Sequence, residues 1–237
     1  MTTNNLQIHP IGKIETPFSE KFGIPRQGVI ADGVEGIIHF EPEYSHPDYI
    51  RGIEQFSHLW LIFAFDQHVA QPHSALVRPP RLGGNAKMGV FATRSSFRPN
   101  HLGMSLVRYL DHSFDQGQLT LTVSGVDLLT QTPIFDIKPY IHYSDSIDDA
   151  QCGYANLAPS ARLSVVFSEM AKTQLLTYQS TLPQLKSVIT QMLRQDPRPA
   201  YKQQKEDPKH YACRVYDLDV KWHVDGDKAI VSSLEKS

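Results

Sequence analysis

Residues 78–108 carry Arg78, Arg81, Lys87, Arg94, Arg98 and Arg108 and not one aspartate or glutamate. The nearest acids on either side are Asp66 and Asp111. In a chain with 23 Lys and Arg against 25 Asp and Glu, this is a local segregation of charge. Guanidinium groups spaced by Gly, Ser, Asn and Pro suit exposed backbone facing an anion, because the planar fork meets phosphate or carboxylate bidentately. The segment reads as a phosphate or nucleic-acid surface with Arg78, Arg81, Lys87 and Arg98 as candidate contacts. The competing reading is a solvated loop whose arginines pair with acids elsewhere.

Polar residues also gather at the ends of apolar runs. Asp66-Gln67 follow the run His58–Phe65, Asp127 follows Gly125-Val126, and Asp136-Ile137-Lys138-Pro139-Tyr140 closes the β-rich region. Strand-end carboxylates and amides line the mouths of barrels, where small ligands bind; Asp127 equally suits a turn. Near the C-terminus, Gln195–Tyr201 is stiffened by Pro197 and Pro199 and offers Arg198 and Tyr201. An exposed guanidinium and ring on a stiff loop can stack on unpaired bases, and a structural helix stop is the alternative.

Other chemistries lack their motifs. Gly83-Gly84 has neither the GxxxxGK[ST] spacing nor a GxGxxG neighbour, so a P-loop and a dinucleotide fold are disfavoured. No HExxH or GxSxG is present. Cys152 and Cys213 are too far apart for a thiolate zinc site or a disulfide framework, and a reducing compartment is expected. No metal is called for.

The elements that must position these residues are short. Candidate strands are Leu6–Ile14, Gly36–Phe40, His58–Phe65, Lys87–Thr93, Met104–Asp111, Gln118–Val126 and Pro133–Tyr140, punctuated by Gly and Pro. His58–Phe65 is apolar at almost every position, which predicts a strand covered on both faces. With no crossover helix between strands, the expected fold is mainly β, an antiparallel barrel or sandwich. Residues 144–161 read as a linker. Beyond it, 162–237 predicts a small α+β unit. It comprises a strand Arg162–Phe167, a helix Glu169–Tyr178 capped by Ser168, and a second helix opened by a Thr181/Gln184 capping box. A hairpin of Tyr211–Val220 with Lys221–Ser232 around Asp225-Gly226-Asp227 completes it. No signal peptide is read, and Leu59–Phe65 is too short to span a bilayer. A cytoplasmic protein is expected.

The segments Lys21–Gln27, Gly52–Trp60, Arg78–Ser105, Asp136–Tyr140 and Gln195–Tyr201 together closely resemble the TrmO (YaeB, TsaA-like) family of tRNA methyltransferases, over essentially the whole chain. The run RPPRLGGNAKMGVFATRSSFRPN is long and specific. The resemblance implies an antiparallel β-barrel methyltransferase domain over 1–143 and S-adenosylmethionine as methyl donor. It implies methylation of the exocyclic N6 of N6-threonylcarbamoyladenosine beside the anticodon of tRNA for threonine, and a homodimer. The cofactor residues it implies are Pro25, Arg26, Gln27, Asp66, Gln67, Arg94, Leu106, Asp127, Leu128, Leu129 and Thr130. The family often carries His at the position of Asp66. Asp136 and Tyr140 are the candidates beside the acceptor base, and 162–237 is expected to help bind tRNA. A non-enzymatic RNA-binding barrel and a hydrolase using strand-end carboxylates are the other readings; uptake of S-adenosylmethionine separates the first from an enzyme, and the acid-free segment is not needed by the second.

Overall fold

The computed structural model describes residues 6–25, 28, 33–70, 72–83, 85–157, 162–199, 202–203, 205 and 207–237. Six strands close an antiparallel barrel: β1 (Gly12–Glu15), β2 (Glu35–Phe40), β3 (His58–Ala64), β6 (Leu102–Asp115), β7 (Gln118–Ser124) and β8 (Thr132–Pro139). Their order around the barrel is β1-β2-β7-β6-β3-β8. Alternation decides which face goes inward. Ile14, Ile38, Leu59, Leu61, Leu119, Leu121, Val123 and Ile134 are all buried, and the residues between them point out, as a period of two requires. The β6–β7 turn, Gln116-Gly117, has positive φ at both residues, the twist-matched geometry of a two-residue hairpin.

β3 departs from expectation. It is buried only on alternate residues, and His58, Trp60, Ile62 and Ala64 form a half-buried outer face. The run Lys87–Thr93 contributes only β5 (Met88–Gly89), paired with β4 (Leu76–Val77), before a 3-10 turn at Val90–Ala92. The first strand starts at Gly12, since Leu6 and Ile8 lie exposed.

β6 is long enough to serve two neighbours in turn. It pairs with β3 from Leu102 to Arg108, and with β7 from Arg108 to Asp115. An irregularity between Tyr109 and Asp111 re-aims it. Among the described strands, the edge of β6 turned away from β3 therefore has no β7 partner between Leu102 and Val107, and this break in the pairing is a notch in the sheet.

After the barrel, α1 (His142–Asp145) and a 3-10 turn at Gly153–Ala155 lead away along its surface. Asp145 accepts hydrogen bonds from the Trp60 indole and the Ile141 amide, both at 3.0 Å, which hold its carboxyl below its ordinary value. A four-stranded sheet follows, ordered β10 (Tyr211–Val215), β11 (Leu218–Asp225), β12 (Lys228–Lys236), β9 (Ser164–Phe167). β9 and β12 are parallel. Two helices cover the sheet, α2 (Glu169–Tyr178) on β12 and α3 (Leu185–Arg194) on β9 and β10. Ser168 caps α2 by accepting from the Ala171 amide at 3.1 Å. The capping box expected at α3 is not made: Gln184 is the N-cap, without a side-chain bond, and the Thr181 hydroxyl turns back to the Tyr178 carbonyl. Leu185, Val188, Ile189, Met192 and Leu193 are nonetheless fully buried on one face. The expected two-stranded hairpin is three strands, because Tyr216-Asp217 forms an additional turn with Tyr216 at φ +56. The hydrophobic core runs unbroken from barrel to sheet.

Candidate functional site

The notch beside β6 is filled by backbone. Gly28 is buried there, and a Cβ added to it would stand 2.1 Å from the Gly125 carbonyl oxygen and 3.1 Å from that of Leu106. Gly125 faces it with φ +81. A close approach of two backbone segments without side chains between them brings Gly28 against the end of β7 and the edge of β6. Pro25 is buried; Arg26 and Gln27 lie outside the described residues. Around the notch stand Leu106, Ser105 and Asp127. The Ser105 hydroxyl donates to Asp127 Oδ1 at 2.5 Å.

Asp127 is the charged group of this cluster. Burial pushes its carboxyl above the ordinary value; hydrogen bonds from Ser105, its own amide and Gly28, with the Arg94 guanidinium nearby, pull the other way. A carboxyl raised in the folded protein holds its proton more tightly there than in the unfolded chain. Its contribution to stability is present in full below the unfolded value of about 3.9 and is lost as pH rises through the raised one. The Asp127→Asn protein, neutral throughout, is expected to gain in melting temperature relative to the parent as pH rises from ~4 through that window, then to run parallel. Melting curves across this range check it, and the opposite slope would contradict the buried carboxyl.

The remaining implied cofactor residues divide. Leu128, Leu129 and Thr130 continue from Asp127 and are held by backbone: Thr16 Oγ1 donates to the Leu128 carbonyl at 2.8 Å, and the Thr130 amide donates to Phe18 O at 2.8 Å. Leu128 is 3% exposed, so it shapes the site from beneath. Asp66 and Gln67 sit exposed in a 3-10 turn after β3. They lie five residues beyond Leu61, whose cross-strand partner is Ser105, so they stand roughly 15 Å along the strand from the notch.

Asp136 and Tyr140 lie on the other side of β3 from β6, on and just after β8. Asp136 pairs across β3 with Ile62 and bonds Lys138 at 3.1 Å. The Tyr140 ring lies 6.2 Å from Trp60 and 6.3 Å from His58. Trp60 is the cross-strand neighbour of Leu106. The aromatic cluster therefore adjoins the notch on the barrel exterior, whereas Asp136 is engaged with a lysine.

The basic segment is an exposed excursion between β3 and β6. Arg78, Arg81 and Lys87 are exposed. Arg81 donates to the Leu157 carbonyl, and Arg98 donates to Thr93 O at 3.1 Å. Phe91 projects from it with 80% of its surface exposed. Arg198 requires correction. It is 3% exposed, with its guanidinium on both oxygens of Asp196 at 2.8 Å and Asp207 at 4.0 Å. It is a buried anchor, with no surface to offer a base. The sequence reading counted Asp196 only as diluting the local charge, whereas it takes the guanidinium bidentately two positions away. Tyr201 lies outside the described residues.

Gly28, Ser105, Gly125, Thr16 and Trp60 were not singled out from the sequence. Only Gly28, directly after Pro25-Arg26-Gln27, carried a signal: a glycine where two backbones must touch.

Comparison with known proteins gives a consistent picture. Residues 13–146 match the family profile described as the tRNA-methyltransferase O N-terminal domain, and residues 160–237 match the TrmO C-terminal domain. The chain is 43% identical over 232 residues to the tRNA (adenine(37)-N6)-methyltransferase of Escherichia coli (strain K12), covering 98% of this chain and 99% of that protein. It is 40% identical over 148 residues to the human protein of the same name, covering 62% of this chain and 32% of that one. A crystal structure of TrmO from Pseudomonas aeruginosa superposes with a TM-score of 0.80 at 38% identity, covering 97% of this chain and 98% of the other.

Proposed function

The chain belongs to the TrmO family of S-adenosylmethionine-dependent tRNA methyltransferases, and from that premise we propose its substrate and the roles of its residues. It methylates N6 of adenine 37 in tRNA. The substrate we assign is N6-threonylcarbamoyladenosine beside the anticodon of tRNA for threonine.

The residues at the notch fit the cofactor. S-Adenosylmethionine presents cations, a carboxylate, a ribose and an adenine, and its positively charged sulfur activates the methyl group for transfer. Opposite these stand a half-buried carboxylate at Asp127, a guanidinium at Arg94, the Leu106 side chain and the free main chain of the β6 edge. The close packing of Gly28 on Gly125 and Leu106, which sets the Asp127 carboxyl beside this edge, carries this assignment. Pro25 would line the notch from one side and Leu128–Thr130 from the other; Arg26 and Gln27 are assigned to the cofactor from the resemblance. Asp66 and Gln67 would approach from the far end of β3, or serve a second subunit of a homodimer.

The chemistry left to the protein is positioning and proton acceptance. The exocyclic nitrogen is a weak nucleophile because its lone pair is delocalised, so alignment with the methyl group is what the residues must supply. Tyr140, with Trp60 and His58, offers a surface on which the target base can stack beside Leu106. Asp136 is the candidate acceptor for the departing proton, provided it exchanges its Lys138 partner. Arg78, Arg81, Lys87 and Arg98 would hold phosphates, and one guanidinium of this segment the carbamoyl-threonine carboxylate. Residues 162–237 would add tRNA affinity through Lys205, Lys209 and His210, all exposed. Among the described residues no helix is long and apolar enough to cross a membrane; a tRNA enzyme is assigned to the cytoplasm.

The test pairs binding with turnover. S-Adenosylmethionine at 100 times its Kd should stabilise the protein by about 2.7 kcal/mol. Methyl transfer should occur to tRNA for threonine bearing the threonylcarbamoyl group and not to the same tRNA lacking it. Equal transfer to both would overturn the substrate, and no stabilisation would overturn the notch as the cofactor site.

A further inference from the structure

A short strap, Thr16–Gly23, is hydrogen-bonded along both edges. One edge serves the corner that follows Asp127. Thr16 Oγ1 donates to Leu128 O at 2.8 Å, the Thr16 amide donates to Thr130 Oγ1 at 3.3 Å, and Phe18 O accepts from the Thr130 amide at 2.8 Å. The other edge belongs to the C-terminal sheet. Phe18 forms an antiparallel bridge with Val215, Pro17 O accepts from the Tyr216 amide at 2.7 Å, and the Arg214 amide donates to Glu20 Oε1 at 2.8 Å. Farther on, the Phe22 ring stacks on Tyr211 at 6.3 Å and on Trp222 at 6.5 Å. Tyr211 is itself fixed by its hydroxyl, which donates to Asp207 at 2.6 Å. Gly23, at φ +92, lies so close to α3 that a Cβ there would meet Met192 Sδ at 2.6 Å. Buried Pro25 follows two residues later, and Gly28 enters the notch.

We propose that the C-terminal sheet is part of the scaffold of the cofactor site, with Phe22 as a positioning residue that presents Pro25 and Gly28 to the notch. The proposal rests on the reading that S-adenosylmethionine occupies that notch. Its physical basis is pre-organisation. A strap pinned on one edge only would leave the segment after it to be ordered at the moment of binding, and the affinity would fall by the fraction of molecules in the competent arrangement. The C-terminal unit then acts on the methyl donor as well as on tRNA, through the chain between β1 and β2.

The experiment uses the full chain. In Phe22→Ala, Kd and KM for S-adenosylmethionine should rise about tenfold, while kcat at saturating donor and KM for tRNA stay within about twofold. Phe22→Tyr, which keeps the stacked ring, should restore the donor KM. An unchanged donor Kd, or a rise confined to the tRNA KM, would overturn the proposal. The unsubstituted protein supplies a second measurement that does not depend on a variant folding. S-Adenosylmethionine should slow hydrogen exchange at both the Thr130 and Tyr216 amides, which bond to opposite edges of the strap. Protection at Thr130 without protection at Tyr216 would sink the coupling. If the unsubstituted chain does not bind the donor at all, it is the assignment of the notch that fails.

Discussion

Gly28→Ala should abolish cofactor binding while leaving a folded barrel. The added methyl would stand 2.1 Å from the carbonyl oxygen of Gly125 and 3.1 Å from that of Leu106. Both obstacles are main chain, so no side-chain rotation can relieve them. Either the segment carrying Gly28 lifts out of the notch or the end of β7 moves. Overpacking of this kind costs about 1–3 kcal/mol, small enough for the barrel to survive. The functional cost is larger, because the displaced backbone is the part assigned to hold the cofactor. Gly89→Ala is the matched control, since a Cβ there meets nothing within 4 Å. Calorimetric titration with S-adenosylmethionine and circular dichroism separate the two effects. Normal affinity in Gly28→Ala would mean that the two backbones are not in contact.

The second large effect is expected at Arg198. Its guanidinium is 3% exposed and bonds both oxygens of Asp196, whose side chain is 2% exposed, and its Nη1 has no hydrogen-bond partner. Replacing Arg198 by alanine leaves the Asp196 carboxylate buried and unmatched. Breaking such a pair costs about 3–5 kcal/mol, which for a chain of this length lowers the melting temperature by on the order of 10 °C. The double variant Asp196→Ala, Arg198→Ala should recover part of the loss, because no orphan charge remains. Thermal unfolding of the three proteins measures this. A loss below about 1 kcal/mol in Arg198→Ala would show that water reaches the pair.

The barrel was legible because its signal is local. Leu119, Leu121 and Val123 alternate with polar residues, and alternation reports directly which face is buried. α2 was legible to the residue, since Ser168 caps it and Tyr178 ends it. What escaped was non-local. The extra turn at Tyr216-Asp217 has no Gly, Pro or Asn to mark it; its amide is taken by Pro17, almost two hundred positions away in the chain. His58–Phe65 looked doubly covered because Trp60 and Ile62 are apolar, yet they form the outer face beside Leu106. The same holds at the site. The resemblance named Leu106 and Asp127 one by one, but that Gly28 and Gly125 touch between them depends on where β7 parts from β6. Arg198 was misjudged for a different reason: its partner Asp196 is local, but a guanidinium on a proline-stiffened loop can serve as an anchor or face solvent, and burial decides which.

The strap also sets a clock for synthesis. Ser19 and its partner Tyr216 are separated by 197 positions. At about 5–20 residues per second, the first emerges from the ribosome roughly 10–40 s before the second exists. During that interval β1 can find β2 and the barrel can close on β8, but one edge of the strap remains open to solvent or to a chaperone. A nascent chain stalled between β8 and β10 would hold a closed barrel with the strap unfinished. Full affinity for the methyl donor would then arrive only with the complete chain, and truncated translation products would compete for the donor weakly.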